Sequence, residues 1–344
     1  MKAAVLSSII IIILFPNNLN AQTSAKKYYY YTNKAELAIT DSNYLEALKY
    51  YDSSTNSVSV PLSQDVYNKA LCHTLLGNYG KAFLAISFLI ERGVDSTLFN
   101  KQAFRVLKNQ KRYWNQFLLE YPVLVKRFKS IVRDEIISDL RDMNESDQKY
   151  FCELPGKLTN VSFIDSLRLN DDFLIERFRN YLNKFGYLHE GIIGVQFSDS
   201  KLDCYPIFNI LLRHHYQIKK FDLTPILQKA MDSGYLKPDL FARWVGFQNT
   251  AGFGYESLVR EIGDSLYVGT FPGLKKKIDE SRLKITLCTL DERVKKTIFS
   301  LCLDSNGFLF YYTVGKLSNP HTDNDEASFR KRYIKVPYKI KRFN

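Results

Sequence analysis

The chain has 344 residues, of which 45% are hydrophobic and 24% charged, and a formal net charge of +12. Those proportions exclude general disorder, and the length exceeds what one core usually fills, so more than one domain is expected. The basic excess favours anionic partners, but it is uneven: residues 330–344 carry Arg330, Lys331, Arg332, Lys335, Lys339, Lys341 and Arg342 with no acidic residue among them.

Lys2 precedes an apolar run from Ala3 to Phe15. Pro16-Asn17-Asn18 breaks the run, and Leu19-Asn20-Ala21 ends on a small residue. This is the three-part plan of a secretory signal peptide, and the run is shorter than the ~20 residues a membrane-spanning helix needs. The expectation is an exported protein, in the periplasm or at the exterior of a Gram-negative bacterium, with residues 1–21 removed and no transmembrane span remaining. A retained N-terminal anchor is the alternative. Nucleic acid is not expected as a partner outside the cytosol.

Residues 26–95 carry a repeat. Ala35, Tyr44, Ala47 and Tyr51 recur one period later as Ala70, Tyr79, Ala82 and Ile86. The period is close to the ~34 residues of tetratricopeptide repeats, and the small alanines let paired helices approach closely. Tyr44 and Tyr79 each open a second helix after a tight turn. The region resembles tetratricopeptide repeats, which implies helical hairpins with a surface for peptides or proteins; Tyr44, Tyr51 and Tyr79 are its candidate contact residues. An unrelated pair of helical hairpins is the plainer reading. Leu98, Phe99, Phe104 and Leu107, then Tyr113, Trp114, Phe117 and Leu118, predict helices that cap the stack before Pro122.

A long helix is predicted from Pro122 to Met143, followed by a restart at Asn144-Glu145-Ser146. Residues 153–169 read as loop, and Asn170 as the cap of a helix that ends at Gly186. Further helices are expected after Pro206, at Thr224-Pro225 up to Gly234, at Pro238, over Leu274–Ile285, and after a Thr289/Glu292 capping box. Residues 246–273 read as a glycine-rich loop with short pieces of structure. Ile298–Leu303 and Phe308–Val314 predict a strand–turn–strand unit. Tyr333–Phe343 alternates apolar and basic side chains and predicts a strand that Pro337 confines to a sheet edge.

No strong catalytic or metal-binding motif is present: there is no HExxH, no Walker loop and no GxSxG. No cofactor is expected. The five cysteines form no CxxC pair, and each sits among apolar neighbours, so buried free thiols are the simplest reading, although an oxidising compartment permits one or two disulfides. His214 lies on an apolar stripe, where an imidazole can titrate near neutrality. It serves either as a general base, with Asp147 orienting it and Arg282 holding an anion, or as a hydrogen-bonded core residue. Asp147 also reads as dipole complement at a helix start, and Arg282 as an ion-pair partner.

Over residues 130–300, Leu140-x-x-Met143, Asp147-Gln148, Gly186, Ile193-Gly194, Leu211-Leu212-Arg213-His214, Gly234, Ala242 and Ile278-Asp279-x-x-Arg282 occur in one order. That order resembles an uncharacterised bacterial family, domain of unknown function 6624. This chain departs from the family pattern at Phe151, Arg213, Tyr187-Leu188 and Asp279, so the resemblance implies a domain boundary more than a mechanism.

Together these readings predict a mainly α protein: signal peptide (1–21), tetratricopeptide-like hairpins (22–120), a helical domain (121–300) and a basic β-rich segment (301–344). The leading functional expectation is a non-catalytic interaction module that takes a protein or peptide on its hairpins. One alternative is a hydrolase-like enzyme using His214, Asp147 and Arg282. The other is an anionic lipid or glycan binder using Arg330, Lys331, Arg332, Lys339 and Lys341.

Overall fold

The computed structural model describes residues 23–153, 161–198, 201–204, 222–248, 259–262, 265–269, 273–302, 307–310, 314–316 and 333–339. The expected leader, the helix after Pro206 with His214, and Arg330, Lys331, Arg332 and Lys341 lie outside the described residues. The protein is mainly helical, with packed helical hairpins and a small sheet to which the C-terminal segment contributes, as its sequence predicts.

Two hairpins come first. Helix α1 covers 23–40, α2 Tyr44–Thr55, α3 Ser63–Leu75 and α4 Tyr79–Ile90. Ala35, Ala47, Ala70 and Ala82 are all at 0% exposure, so the small residues lie where the helices meet. The two tight turns are equivalent positions one repeat apart, and both are left-handed: Ser42 at φ 57° and Gly77 at φ 73°. Short 3-10 turns at Ser96–Asn100 and Gln102–Phe104 and helix α5 (Arg105–Lys108) then seal the hairpin core with Leu98, Phe99, Phe104 and Leu107.

Helix α6 spans Lys111–Ile131 and runs through Pro122, where the sequence predicts a break. Leu118, whose carbonyl loses its partner at that proline, is half exposed, so water can replace the missing bond. The chain turns instead at Val132 and Arg133, and helix α7 covers Asp134–Glu153. Helix α8 starts at Val161 rather than near Asn170 and ends at Phe185 before Gly186. Asn170 sits inside it and accepts from the Ser146 hydroxyl at 2.7 Å.

A single helical turn α9 (Glu190–Ile193) leads into an antiparallel pair, β1 (Val195–Ser198) and β2 (Lys201–Cys204). Helices α10 (Thr224–Asp232) and α11 (Pro238–Gln248) complete a second core around Leu140, Met143, Phe178, Leu188, Leu223 and Leu227. Ala25, Tyr28 and Tyr29 of α1 belong to this core, while Ala35 and Ile39 of the same helix belong to the first. Side chains thus cross the boundary expected at residue 120.

The second sheet is built from β3 (Val259–Ile262), β4 (Ser265–Gly269), β5 (Val314–Lys316) and β6 (Tyr333–Lys339), in the order β5-β3-β4-β6. The pairs β3–β4 and β4–β6 are antiparallel, whereas β5 lies parallel to β3. Strand β6 is an edge, as Pro337 requires; the pairing passes from Val336 to Lys339 at a register shift, which leaves Pro337 off the ladder. The sheet packs on helices α12 (Lys275–Lys284) and α13 (Leu290–Cys302) through Leu266, Val336, Ile278, Val294 and Ile298.

One sequence expectation fails in this region. Ile298 to Cys302 is the end of α13, not a strand. The helix begins with the expected capping box, Thr289 N–H donating to Glu292 Oε2 at 3.0 Å and Glu292 N–H to Thr289 Oγ1 at 3.3 Å. Once started, it keeps the helical spacing of Val294, Ile298 and Leu301 against the sheet, which outweighs the strand-like apolar run. Within the stretch read as glycine-rich loop, the short pieces are Val259–Ile262 and Ser265–Gly269, paired as β3 and β4. Among the described thiols, Cys72 and Cys288 are buried and free.

Candidate functional site

Helix α3 is unusual in its buried polar residues. Ser63, Gln64, Asp65, Asn68, His73 and Thr74 are all enclosed. A buried polar side chain needs a partner or it destabilises the fold. On one side of α3 the partner is the chain's own main chain at Gly307–Phe310, a turn and three residues that belong to no helix or strand. Asn68 Nδ2 donates to the Leu309 carbonyl at 2.7 Å, and Asn68 Oδ1 accepts from the Leu309 N–H at 2.9 Å. Gln64 Nε2 donates to the same carbonyl at 2.7 Å, and Tyr67 OH to the Gly307 carbonyl at 3.2 Å.

The side chains on either side of Leu309 pack on aromatic rings. Phe308 stacks on Tyr44 with centroids 5.7 Å apart, and Phe310 on Phe299 of α13 at 5.4 Å. Of the strand expected over Phe308–Val314, Phe308–Phe310 lie in no strand, Val314 opens β5, and residues 311–313 lie outside the described residues. Its first part is seated in the hairpins because its amide groups find a carboxamide there instead of a neighbouring strand.

On the other side of α3 lies a charged seam between the hairpins and the later helices. Tyr28 OH donates to Asp65, and Lys237 Nζ lies 3.1 Å from Asp65 Oδ1. Lys296 Nζ donates to Glu36 Oε2 and Asn33 Oδ1, both at 2.8 Å. Arg293 Nη1 donates to Asp239 Oδ1 at 3.1 Å. A cavity of about 40 Å³ opens among these groups, lined in part by Thr32, Asn33, Glu36, Lys237, Cys288 and Lys296. That is room for a few water molecules with polar partners.

Burial opposes the charge on Lys296, but Cys288, Glu36 and Asp239 around it raise its pKa above the ordinary lysine value. Lys237 is raised in the same way, Asp65 and Glu36 outweighing burial. Burial and Asp65 push the Tyr28 phenol well above its usual range. The seam therefore favours the charged form of its lysines, which face the carboxylates of Asp65 and Glu36. Its chemistry is that of a fixed ionic joint between α1, α3, α11 and α13, and it holds these elements in one register.

The sequence-predicted residues stand on different elements. Asp147 sits inside α7 rather than at a helix start, is nearly buried, and accepts from Gln148 Nε2 at 2.7 Å. Arg282 is buried on α12, where Nε donates to the Cys288 carbonyl at 2.7 Å and Nη2 lies 3.8 Å from Cys288 Sγ. His214 lies outside the described residues. Of the three aromatic candidates, Tyr44 is half-buried on Phe308 and Tyr79 is half-buried against the hairpin core. Tyr51 is at 0% exposure, so it is a core residue with no surface to present to a partner. Lys339 is the last residue of β6.

Sequence spacing did not reveal the roles of Gln64, Tyr67, Asn68 and Phe308, nor any of the charged seam. The available signal was the run Ser63-Gln64-Asp65 with Asn68 on a helix whose repeat phase places it inside the stack. No group of His, Cys, Asp and Glu among the described residues is arranged to hold a metal ion. No described helix is long and apolar enough to cross a membrane. Comparison of the chain with family models, curated proteins and solved structures found no match.

Proposed function

We propose that this protein is a non-catalytic interaction module whose N-terminal hairpins bind extended polypeptide. The observation that carries this is the two-way bond between the Asn68 carboxamide and the Leu309 main chain. A side-chain amide that donates to a C=O and accepts from the N–H of one residue recognises extended backbone of almost any sequence. The 35-residue spacing of the alanines supports relating the hairpins to tetratricopeptide repeats. The apolar N-terminal segment supports a place of action outside the cytosol. The order of features over residues 130–300 supports distant kinship of the helical part with domain of unknown function 6624.

The test uses the full chain with Phe308→Ala and Phe310→Ala, which weakens the resident segment and leaves Gln64, Tyr67 and Asn68 in place. Fluorescence anisotropy with a labelled peptide of residues 305–312 should give saturable binding, and adding Asn68→Ala should weaken it at least tenfold. A variant that keeps the helical circular dichroism of the parent yet binds no peptide overturns the reading.

A further inference from the structure

Helix α6 covers the hairpin core with one face and leaves the opposite face bare. Trp114, Phe117, Tyr121 and Leu124 pack inward. On the far side Leu118 and Val123 are half exposed, Leu119 is 80% exposed, and Pro122 between them is exposed as well. The outer face of such a helix is ordinarily polar. Beside it, Leu84 of α4 is 72% exposed. It shares a helical stripe with Gly80, which lies against the Tyr113 ring, and with Glu91, which pairs with Arg127 at 2.8 Å, so it borders the same face.

The charges around this patch have one sign. Lys111 and Arg112 stand seven residues before Leu118 and Leu119, Lys126 seven after Leu119, and Lys129 seven after Pro122. Seven residues are two helical turns, about 10 Å of axis, so cations and apolar side chains share one face. All four cations are exposed, and none makes an ion pair among the described residues; Arg112 lies over the Tyr113 ring. Glu120, the one acidic residue of α6, accepts from Gln116.

We propose that this face docks on an anionic phospholipid bilayer, with Leu118, Leu119 and Val123 entering among the headgroups and the four cations meeting lipid phosphates. An apolar strip between clusters of lysine and arginine is the pattern of a helix that lies in a membrane interface rather than across it. Charge decides against a second copy as the occupant, because two such faces would set the same cations against one another.

The experiment sediments the full chain with vesicles of phosphatidylcholine and phosphatidylglycerol in equal parts. Binding should fall about tenfold on vesicles of phosphatidylcholine alone. It should fall about tenfold again when Leu118, Leu119 and Val123 are all replaced by serine, exposed positions where the fold is retained. Lys126→Gln with Lys129→Gln should weaken it and flatten its salt dependence. Equal binding to the uncharged vesicles overturns the role of the cations, and equal binding of the serine variant overturns the patch.

A local readout separates this face from any other membrane contact of the chain. Leu119→Trp adds one exposed indole, while Trp114, half-buried, and Trp244, buried, supply the background measured in the parent. Anionic vesicles with brominated acyl chains should quench the added fluorescence. Quenching no greater than in the parent places the contact elsewhere and overturns the proposal. A dimer in light scattering that the serine variant abolishes assigns the face to a second copy and overturns it as well.

Discussion

Glu190 caps helix α3 from far along the chain: its Oε2 accepts from both the Ser63 N–H, at 2.7 Å, and the Ser63 hydroxyl, at 2.6 Å. An N-cap is normally supplied by the residue just before the helix. Here that residue is Leu62, which has no side-chain acceptor. The helical part of the protein thus supplies a bond that the hairpin lacks. Glu190→Ala should cost about 2 kcal/mol in urea unfolding, since two buried donors lose their acceptor. Glu190→Gln keeps an acceptor oxygen and should cost less; equal losses would argue against the capping role.

The charged seam predicts non-additive energetics. Lys296 and Glu36 are nearly enclosed, with side chains 5% and 9% exposed. Lys296→Met or Glu36→Leu alone leaves an uncompensated charge in the interior and should cost about 3–5 kcal/mol. The double replacement removes both charges and should cost less than either single change. A double-mutant cycle checks this, and strictly additive losses would contradict the pairing.

The equivalent turns differ in one residue. Gly77 adopts its left-handed conformation freely, while Ser42 holds φ 57° with a side chain. Ser42→Gly should raise stability by about 1 kcal/mol, which corresponds to roughly 2–4 °C in a melting experiment on a chain of this size class. No gain would mean that the Ser42 side chain compensates for its backbone.

Acid should weaken the fold through two histidines. Burial, with Lys69 and Lys81 adding to it, holds His73 at about 4. Burial and Arg92 hold His189 at about 4, where its ring stacks on Tyr235 at 4.0 Å. Between about pH 6.5 and 4 the unfolded chain binds protons that the folded one does not, so stability falls as pH falls through that window. The melting temperature of a His73→Asn, His189→Asn double variant should drop less between pH 7 and pH 4.5 than that of the parent. Asparagine at 189 keeps an acceptor for the Gly191 N–H that His189 Nδ1 now binds at 3.1 Å.

Local signals located many elements well. The alanine repeat marks the hairpin contacts, Gly186 and Gly234 stand just past α8 and α10, and the Thr289/Glu292 pair starts α13. They failed where two periods fit one stretch. Ile298–Cys302 reads as strand by composition and is helix by its contacts with the sheet. Val259–Ile262 and Ser265–Gly269 are too short to stand out from a glycine-rich surrounding, although the Gly263-Asp264 step between them is a hairpin signal.

The site was least legible because its partners are remote. Asn68 and Leu309, Asp65 and Lys237, and Glu36 and Lys296 are each far apart in sequence, and no spacing rule links them. The chain alone determined that it forms mainly helices, where its hairpins turn and which small residues let them approach, because those properties depend on neighbours within a turn or a repeat. Only the tertiary structure decided that the inner face of the hairpins is filled by Gly307–Phe310 and that the polar residues of α3 are buried. Enclosing a polar group is stable only when its partner arrives from elsewhere in the chain, and that depends on how the helices pack in three dimensions.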